Sequence, residues 1–340
     1  MQKKISIGNI AAALNISKST VSFIVNGKAK EKRISDGLIE RVLNYVSENK
    51  YKPSHLAKSL STGKTMIIGL MVEKISDFFF AQMAYHIEEL AYQNGYKIFY
   101  CSTDNDPEKT RELIQLFRDR NVDGYIITPP RGLENEVQSL IDDGFPVVLF
   151  DRFYHKVEAS HVVLANFEAS YMASNYLADS GYKRIAFVTL DSDQTQMEER
   201  KAGYEQAMAE HHLDCLIEKI SYNSTPKETV NRLLGFFRQH KDIQAIYFST
   251  NYLAFSGINA INQLGHRIPK DIAVVAFDDH QVFEYYEPTV TAVAQPIPEL
   301  ARQSIRILLN MLGKSPGERT IEKISVPAQF FVRRSTSAQS

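Results

Sequence analysis

A rhythm in the chain restricts its fold more than any other feature. From residue 66 onward, short unbroken apolar runs alternate with stretches whose apolar residues recur every three or four positions. The runs at 66–72, 97–101, 124–128 and 147–151 have the continuous hydrophobicity of strands buried on both faces. Between them, 79–94, 107–120 and 133–143 carry helical spacing. The rhythm restarts with helix 167–180, strand 184–190, helix 198–211, strand 217–221, helix 227–240, strand 245–250, helix 252–264 and strand 272–277. Alternating strands and helices imply parallel sheets with right-handed crossovers, so the two blocks predict two Rossmann-like lobes. A last helix, 297–312, and strands near 323–326 and 330–333 are expected to return across the junction.

The first 65 residues follow a different pattern. Ile7, Ile10, Ala11 and Leu14 make one helical stripe, which Asn15 can end because Asn tolerates a left-handed backbone. Ser17 is a good N-cap for a second helix, 18–25, with Val21 and Val25 facing inward. Asn26-Gly27 ends it, and Ser35 caps a third helix with Leu38, Ile39, Val42 and Val46 on one face. Two short helices joined by a tight turn, with a third behind, make a helix-turn-helix.

Charge points to a partner for that head. The net charge of -1 divides into +8 over residues 1–65 and −9 over the remainder. A small basic head on a large acidic body suits a polyanion, although a solvated lysine face is the plain alternative. The second helix opens with Lys18, Ser19 and Thr20, small or cationic residues at its positive end, which can meet phosphates and base edges in a major groove. After it, Lys28, Lys30, Lys32 and Arg33 form a basic loop expected to touch phosphates. Pro53 then breaks the third helix, and Ser54-His55-Leu56-Ala57-Lys58-Ser59-Leu60 can make a short helix before Gly63. So short a helix is marginal in water, so it is expected to order against DNA and a partner chain, with Leu56 and Leu60 suited to wedge into a minor-groove step.

In open α/β sheets, ligands bind beyond the carboxyl ends of the strands. The residues there are Asp77 with Phe78, Phe79 and Phe80, then Thr128, then Asp151 and Arg152. In the second block they are Asp191, Asn251 and Asp278-Asp279, with Arg200 on the next helix. Carboxylates, amides and arginines bind hydroxyls in pairs, and an aromatic ring can stack on a sugar face. Asp151 and Arg152 could instead pair with each other, and Arg200 could be a structural ion pair. The two arginines suit an acidic sugar, a phosphosugar or a neutral one alike.

Several of these segments together resemble the lac repressor (LacI/GalR) family. They are Ile10-Ala11-Ala12-Ala13-Leu14-Asn15-Ile16-Ser17-Lys18-Ser19-Thr20-Val21-Ser22, Val25-Asn26-Gly27, Arg41-Val42, Tyr51-Lys52-Pro53 and Ala57-Lys58-Ser59-Leu60. In the body, Glu199-Arg200-Lys201-Ala202-Gly203-Tyr204, Phe277-Asp278-Asp279, Asn251 and Gln295-Pro296 are similar to family segments near the effector. The resemblance implies an α/β body of the two-lobed periplasmic-binding-protein-like kind behind an all-α helix-turn-helix. It implies a homodimer that binds a near-palindromic double-stranded DNA operator and takes a small-molecule effector, with sugars or sugar derivatives the leading class. Lys18, Ser19 and Ser22 would face DNA, Leu60 would be the inserted leucine, and Arg200, Asp278, Asn251 and Gln295 would touch effector. Phe23 stands where the family usually has Arg, so a bidentate guanine contact is absent and an apolar contact, for instance with a thymine methyl, can take its place. Asp77-Phe78 stands where Asn-Pro is usual, and Tyr252 where Asp is usual.

The domain boundaries expected are 1–53 for the head, 54–64 for the hinge, 65–334 for the body and 335–340 for a tail. Within the body, one lobe would hold 65–164 with 295–324, and the other 165–294 with 325–334. The tail carries no leucine heptad, so a dimer rather than a tetramer is expected. The start lacks a signal-peptide apolar core and no run of 18 apolar residues occurs, which makes the cytoplasm the expected location and a membrane an unexpected partner. Phosphate-loop, dinucleotide-fold, nucleophile-elbow and zincin motifs are missing, and His211-His212 point apart on a helix. No catalytic residue, metal ligand or cofactor is therefore assigned. Cys101 and Cys215 are expected to be buried spectators. A sugar receptor or sugar-processing enzyme sharing the two-lobed body is the competing reading.

Overall fold

The computed structural model describes residues 5–51 and 63–336. The chain divides into a unit of residues 1–65 and one of residues 66–340. His55, Ala57, Lys58 and Leu60, and the expected hinge helix that carries them, lie outside the described residues.

The first unit packs α1 (Ile7–Leu14), α2 (Lys18–Val25) and α3 (Asp36–Glu48) around Ile10, Val21, Ile24, Ala29 and Val42. Ser6 and Asn9 form a reciprocal capping box at the start of α1, satisfying donors that would otherwise be unpaired. Asn15 closes α1 at φ 52°, the left-handed conformation an asparagine accepts. The Ser17 hydroxyl accepts from the Thr20 amide and starts α2. Ile24, rather than Val25, joins Val21 in the core, because α2 rolls its i, i+3 pair inward and leaves Val25 half-buried.

The second unit is built from two six-stranded sheets. The first has the order β11-β5-β4-β3-β1-β2, from β1 (Ile67–Val72), β2 (Lys97–Ser102), β3 (Gly124–Ile127), β4 (Val147–Phe150), β5 (Ser160–Leu164) and β11 (Lys323–Val326). The second repeats that order as β12-β10-β9-β8-β6-β7, from β6 (Ile185–Leu190), β7 (Leu216–Ile220), β8 (Ala245–Phe248), β9 (Ala273–Phe277), β10 (Thr291–Ala294) and β12 (Gln329–Phe331). Every pairing is parallel except β10 with β12. On the first sheet, α4 (Phe78–Gln93) and α12 (Ile297–Leu312) cover one face, and α5 (Pro107–Asp119) and α6 (Glu134–Asp142) the other. On the second, α7 (Asn166–Asp179) and α8 (Thr195–Glu210) face α9 (Pro226–Gln239) and α10 (Asn251–Gln263) across the strands, with α11 (Gln281–Tyr285) beside α10. The chain passes between lobes near 165, 295 and 327.

Two strands, β5 and β10, were not expected from sequence. No helix separates β4 from β5, and β10 is only four small or β-branched residues long, so neither interrupts the local rhythm. The cysteines also differ from expectation: Cys101 is partly exposed and Cys215 exposed. Cys101 lies on β2 and Cys215 just before β7, the edge strands of the two sheets, where one side stays open to solvent. Among the described residues no helix is long and apolar enough to cross a membrane.

Candidate functional site

In the head, Lys18 and Ser19 are exposed on the first turn of α2. Thr20 is half-buried, and its hydroxyl lies 2.8 Å from that of Ser17, so it completes the cap. The Ser22 hydroxyl accepts from the Asn26 amide at 3.2 Å. Phe23 is half-buried, and the Lys32 ammonium sits 5.4 Å from its ring centroid. The buried Ala29 anchors the following turns, leaving Lys28, Lys30, Lys32 and Arg33 exposed. The basic loop and the start of α2 thus offer cations and small hydroxyls to solvent together.

In the body, a crevice opens between the lobes at the carboxyl ends of both sheets. Asp151 follows Phe150 at the end of β4, and Asp278 follows Phe277 at the end of β9, the matching third strands of the two sheets. Both carboxylate residues hold left-handed backbones, with φ 69° and 66°. Strain of this kind persists where surrounding structure imposes it, and it clusters at functional sites.

The two arginines are held very differently from an adjacent-residue pair. Arg152 donates to Glu73 at 2.8 Å, Asn105 at 2.7 Å, Gln194 at 2.8 Å and the Pro129 carbonyl at 2.9 Å. Its partner carboxylate is therefore Glu73 and not Asp151. Arg200 donates to Asn166 at 2.8 Å and to the Ser249 carbonyl at 2.7 Å, stacks 3.6 Å over the Phe277 ring, and lies 3.6 Å from Asp278. Gly203 makes this possible: a Cβ there would come within 2.3 Å of the Phe167 carbonyl oxygen, so only glycine lets α8 approach α7 this closely. Gln295 donates to Asp278 at 2.6 Å.

The crevice is narrow. Its free volume is about 60 Å³, room for about two waters at roughly 30 Å³ each and well below the roughly 300 Å³ of a small ligand pocket. Contacts across it hold the lobes together: Tyr222 to Glu73 at 2.9 Å, Arg152 to Gln194, Arg131 to Asp193 at 2.8 Å, and the Phe78 ring 4.7 Å from that of His280. Burial, with Asp278 and Glu73 nearby, raises the Asp77 carboxyl to about 6 against the pull of the Phe79 and Phe80 amides it caps. Burial likewise raises Asp151 to about 6, and the nearby Arg152 and Arg200 only partly offset it.

A periplasmic binding protein-like domain matches residues 174–336. The HTH-type transcriptional repressor PurR of Haemophilus influenzae is 26% identical over 98% of this chain and 99% of its own length. The chain also shares the fold of the lac repressor dimer bound to operator and the anti-inducer ONPF, with a TM-score of 0.85 at 18% identity over 99% of this chain and 100% of that one. A periplasmic binding protein/LacI transcriptional regulator from Alkaliphilus metalliredigens, complexed with D-xylulofuranose, is 25% identical over 80% of this chain and 100% of its own, with a TM-score of 0.71. Over nearly its whole length the chain is similar to transcriptional repressors of the LacI/GalR kind.

Against that LacI/GalR framework, the structure brings most of the sequence-predicted body residues to one crevice. Asp77, Phe79, Phe80, Asp151 and Arg152 line it from the first lobe, and Arg200, Asn251, Asp278 and Gln295 from the second and the crossing strand. Thr128 does not line it. Alternation along β3 puts Thr128 on the face of Ile126, turned to the core under α4 and α12, where it is fully buried. Asp191 is exposed beside Lys219, and Asp279 is taken by Arg333 at 2.7 Å. The sequence reading missed Glu73, Gln194, Gln196 and Tyr222, and named Tyr252 only as a departure from the family. Glu73 directly follows β1 and Tyr222 lies just past β7, so the strand-end rule applied to every strand would have found both.

Proposed function

We propose that this chain is a cytoplasmic, homodimeric, DNA-binding transcriptional repressor, not an enzyme, whose operator affinity changes when a sugar or sugar derivative fills the interlobe crevice. The observation that carries this is the joining, in one chain, of a basic helix-turn-helix with exposed Lys18 and Ser19 to a crevice where polar side chains from both lobes converge. Residues 1–53 are assigned to DNA, with Lys18, Ser19, Thr20, Ser22 and Phe23 on bases and Lys28, Lys30, Lys32 and Arg33 on phosphates. Residues 54–64 are assigned as the link, with His55, Ala57, Lys58 and Leu60 at the operator centre. The lac repressor structure with operator, and regulators bound to ribose and cellobiose, support these roles by analogy of fold.

In the body, Arg200, Asp278, Asn251, Asp151 and Gln295 are assigned as polar contacts of the effector, and Phe79 and Phe80 as its apolar wall. Arg200 is pinned through Nε and Nη1, which orients its remaining Nη2 donors for a ligand oxygen. The crevice must widen to admit a sugar, so a ligand that makes its best contacts at one lobe separation shifts the population toward it. Coupling of this sort is typically about 1–3 kcal/mol. The test is a gel shift on DNA upstream of the protein's own gene, with and without candidate sugars. Reversing charge at Lys18 and along Lys28–Arg33 is expected to abolish binding; retained salt-sensitive affinity would refute the assignment.

A further inference from the structure

The arginines at the crevice leave its ligand class open in sequence, and the geometry closes much of that opening. Four carboxylates, Glu73, Asp77, Asp151 and Asp278, line the crevice against two guanidinium groups, Arg152 and Arg200. Arg152 is 2% exposed and commits four of its five N–H donors, at least one from every nitrogen, to protein acceptors, so it cannot offer an anion a paired contact. Arg200 stands opposite Asp278. These two pairs balance each other, and Asp77 and Asp151 remain as surplus negative charge. Asp77 is eased by two amides of its own helix. The Asp151 carboxylate receives no hydrogen bond among the described residues.

A second observation points the same way. Gln196 is 5% exposed, lines the crevice, and its Oε1 has no hydrogen-bond partner. A buried acceptor without a donor is costly, and a ligand hydroxyl or N–H would relieve that cost. The crevice therefore presents unfilled acceptors and unbalanced negative charge to whatever enters. A phosphate or carboxylate would bring more acceptors and like charge into a partly desolvated site.

We propose that the effector is rich in hydrogen-bond donors and carries no anionic group, so that phosphorylated and carboxylated sugars are rejected; this rests on the effector-binding reading above. The shared chemistry has two sources, a neutral polyol and an amine-bearing sugar, whose ammonium would lie against Asp77 and Asp151. Burial raises both carboxyls, as expected for acids without a full counter-charge.

The experiment separates a small-molecule cell extract by ion exchange into cationic, neutral and anionic pools and adds each to the full-length protein, reading the thermal midpoint. A rise with the neutral or the cationic pool supports the proposal and tells polyol from amine. A rise confined to the anionic pool overturns the proposal while leaving the effector-binding reading intact. No rise with any pool overturns both. The double variant Asp77→Asn, Asp151→Asn keeps side-chain shape and is expected to lose at least tenfold in apparent affinity for the active pool. An unchanged response in that variant overturns the proposal.

Discussion

The Tyr222 hydroxyl donates to Glu73 across the crevice at 2.9 Å, while the other Glu73 oxygen accepts from Arg152. One carboxylate thereby ties a residue beyond β7 in one lobe to the end of β4 in the other. A hydrogen bond to a charged group is worth about 1.5–3 kcal/mol, and partial exposure of Tyr222 moves this one to roughly 1 kcal/mol. Tyr222→Phe should shift the balance of closed to open lobes about fivefold toward open. X-ray scattering should show an increased radius of gyration for the variant, and an unchanged profile would remove the latch role.

Asp151 gives a pH signature. Its folded carboxyl titrates at about 6, above the ordinary 3.8, so the protonated form favours the folded state. That contribution is complete below about pH 4 and is lost as pH rises through 6. Asp151→Asn should therefore be more stable than the parent at pH 7.5, by about 2–4 °C if the relief is near 1 kcal/mol. The gain should shrink toward zero near pH 4. Thermal scans across pH check this, and a gain independent of pH would contradict it.

Neighbouring aspartates should behave in opposite ways. Asp279 is bound on both oxygens by Arg333 at 2.7 Å, so Asp279→Asn should destabilise the body by roughly 3 kcal/mol. Asp278 faces the crevice beside Arg200 and Gln295, so Asp278→Asn should mainly abolish the ligand-induced thermal shift. Urea unfolding and ligand titration of the two variants separate these effects.

Gly203→Ala places a methyl 2.3 Å from a backbone carbonyl and 2.8 Å from the Tyr171 nitrogen, neither of which can rotate away. The variant should lose about 3 kcal/mol, read as a lower urea midpoint. Because α8 also carries Arg200, the residual folded protein should respond less to ligand.

In the head, Lys32→Ala should weaken DNA binding evenly across sequences and reduce the salt slope by about 1. Phe23→Arg should instead alter preference, favouring guanine by roughly 1–3 kcal/mol at one position of each half-site. Gel shifts over a salt series with a randomised operator distinguish the two.

Much of this protein could be read locally. The caps at Ser6 and Ser17, the left-handed exit at Asn15 and the alternation of buried runs with amphipathic helices depend on residues within a few positions of one another, and they specify a helix-turn-helix followed by two parallel-sheet lobes. The strand-end rule likewise located Asp77, Asp151, Arg152, Asn251 and Asp278 at the crevice, and the family-like segment on the next helix located Arg200. Tertiary structure alone decided which partner each would find. Arg152 turned from its neighbour Asp151 to Glu73, 79 residues away, and Tyr222 reached the same carboxylate from 149 residues away. Thr128 sat at the right strand end but on the inward face. Hydrophobic periodicity encodes what is buried, because burial is set by local spacing. The charge left unbalanced in a crevice depends on which distant side chains reach each other first, and no local pattern carries that.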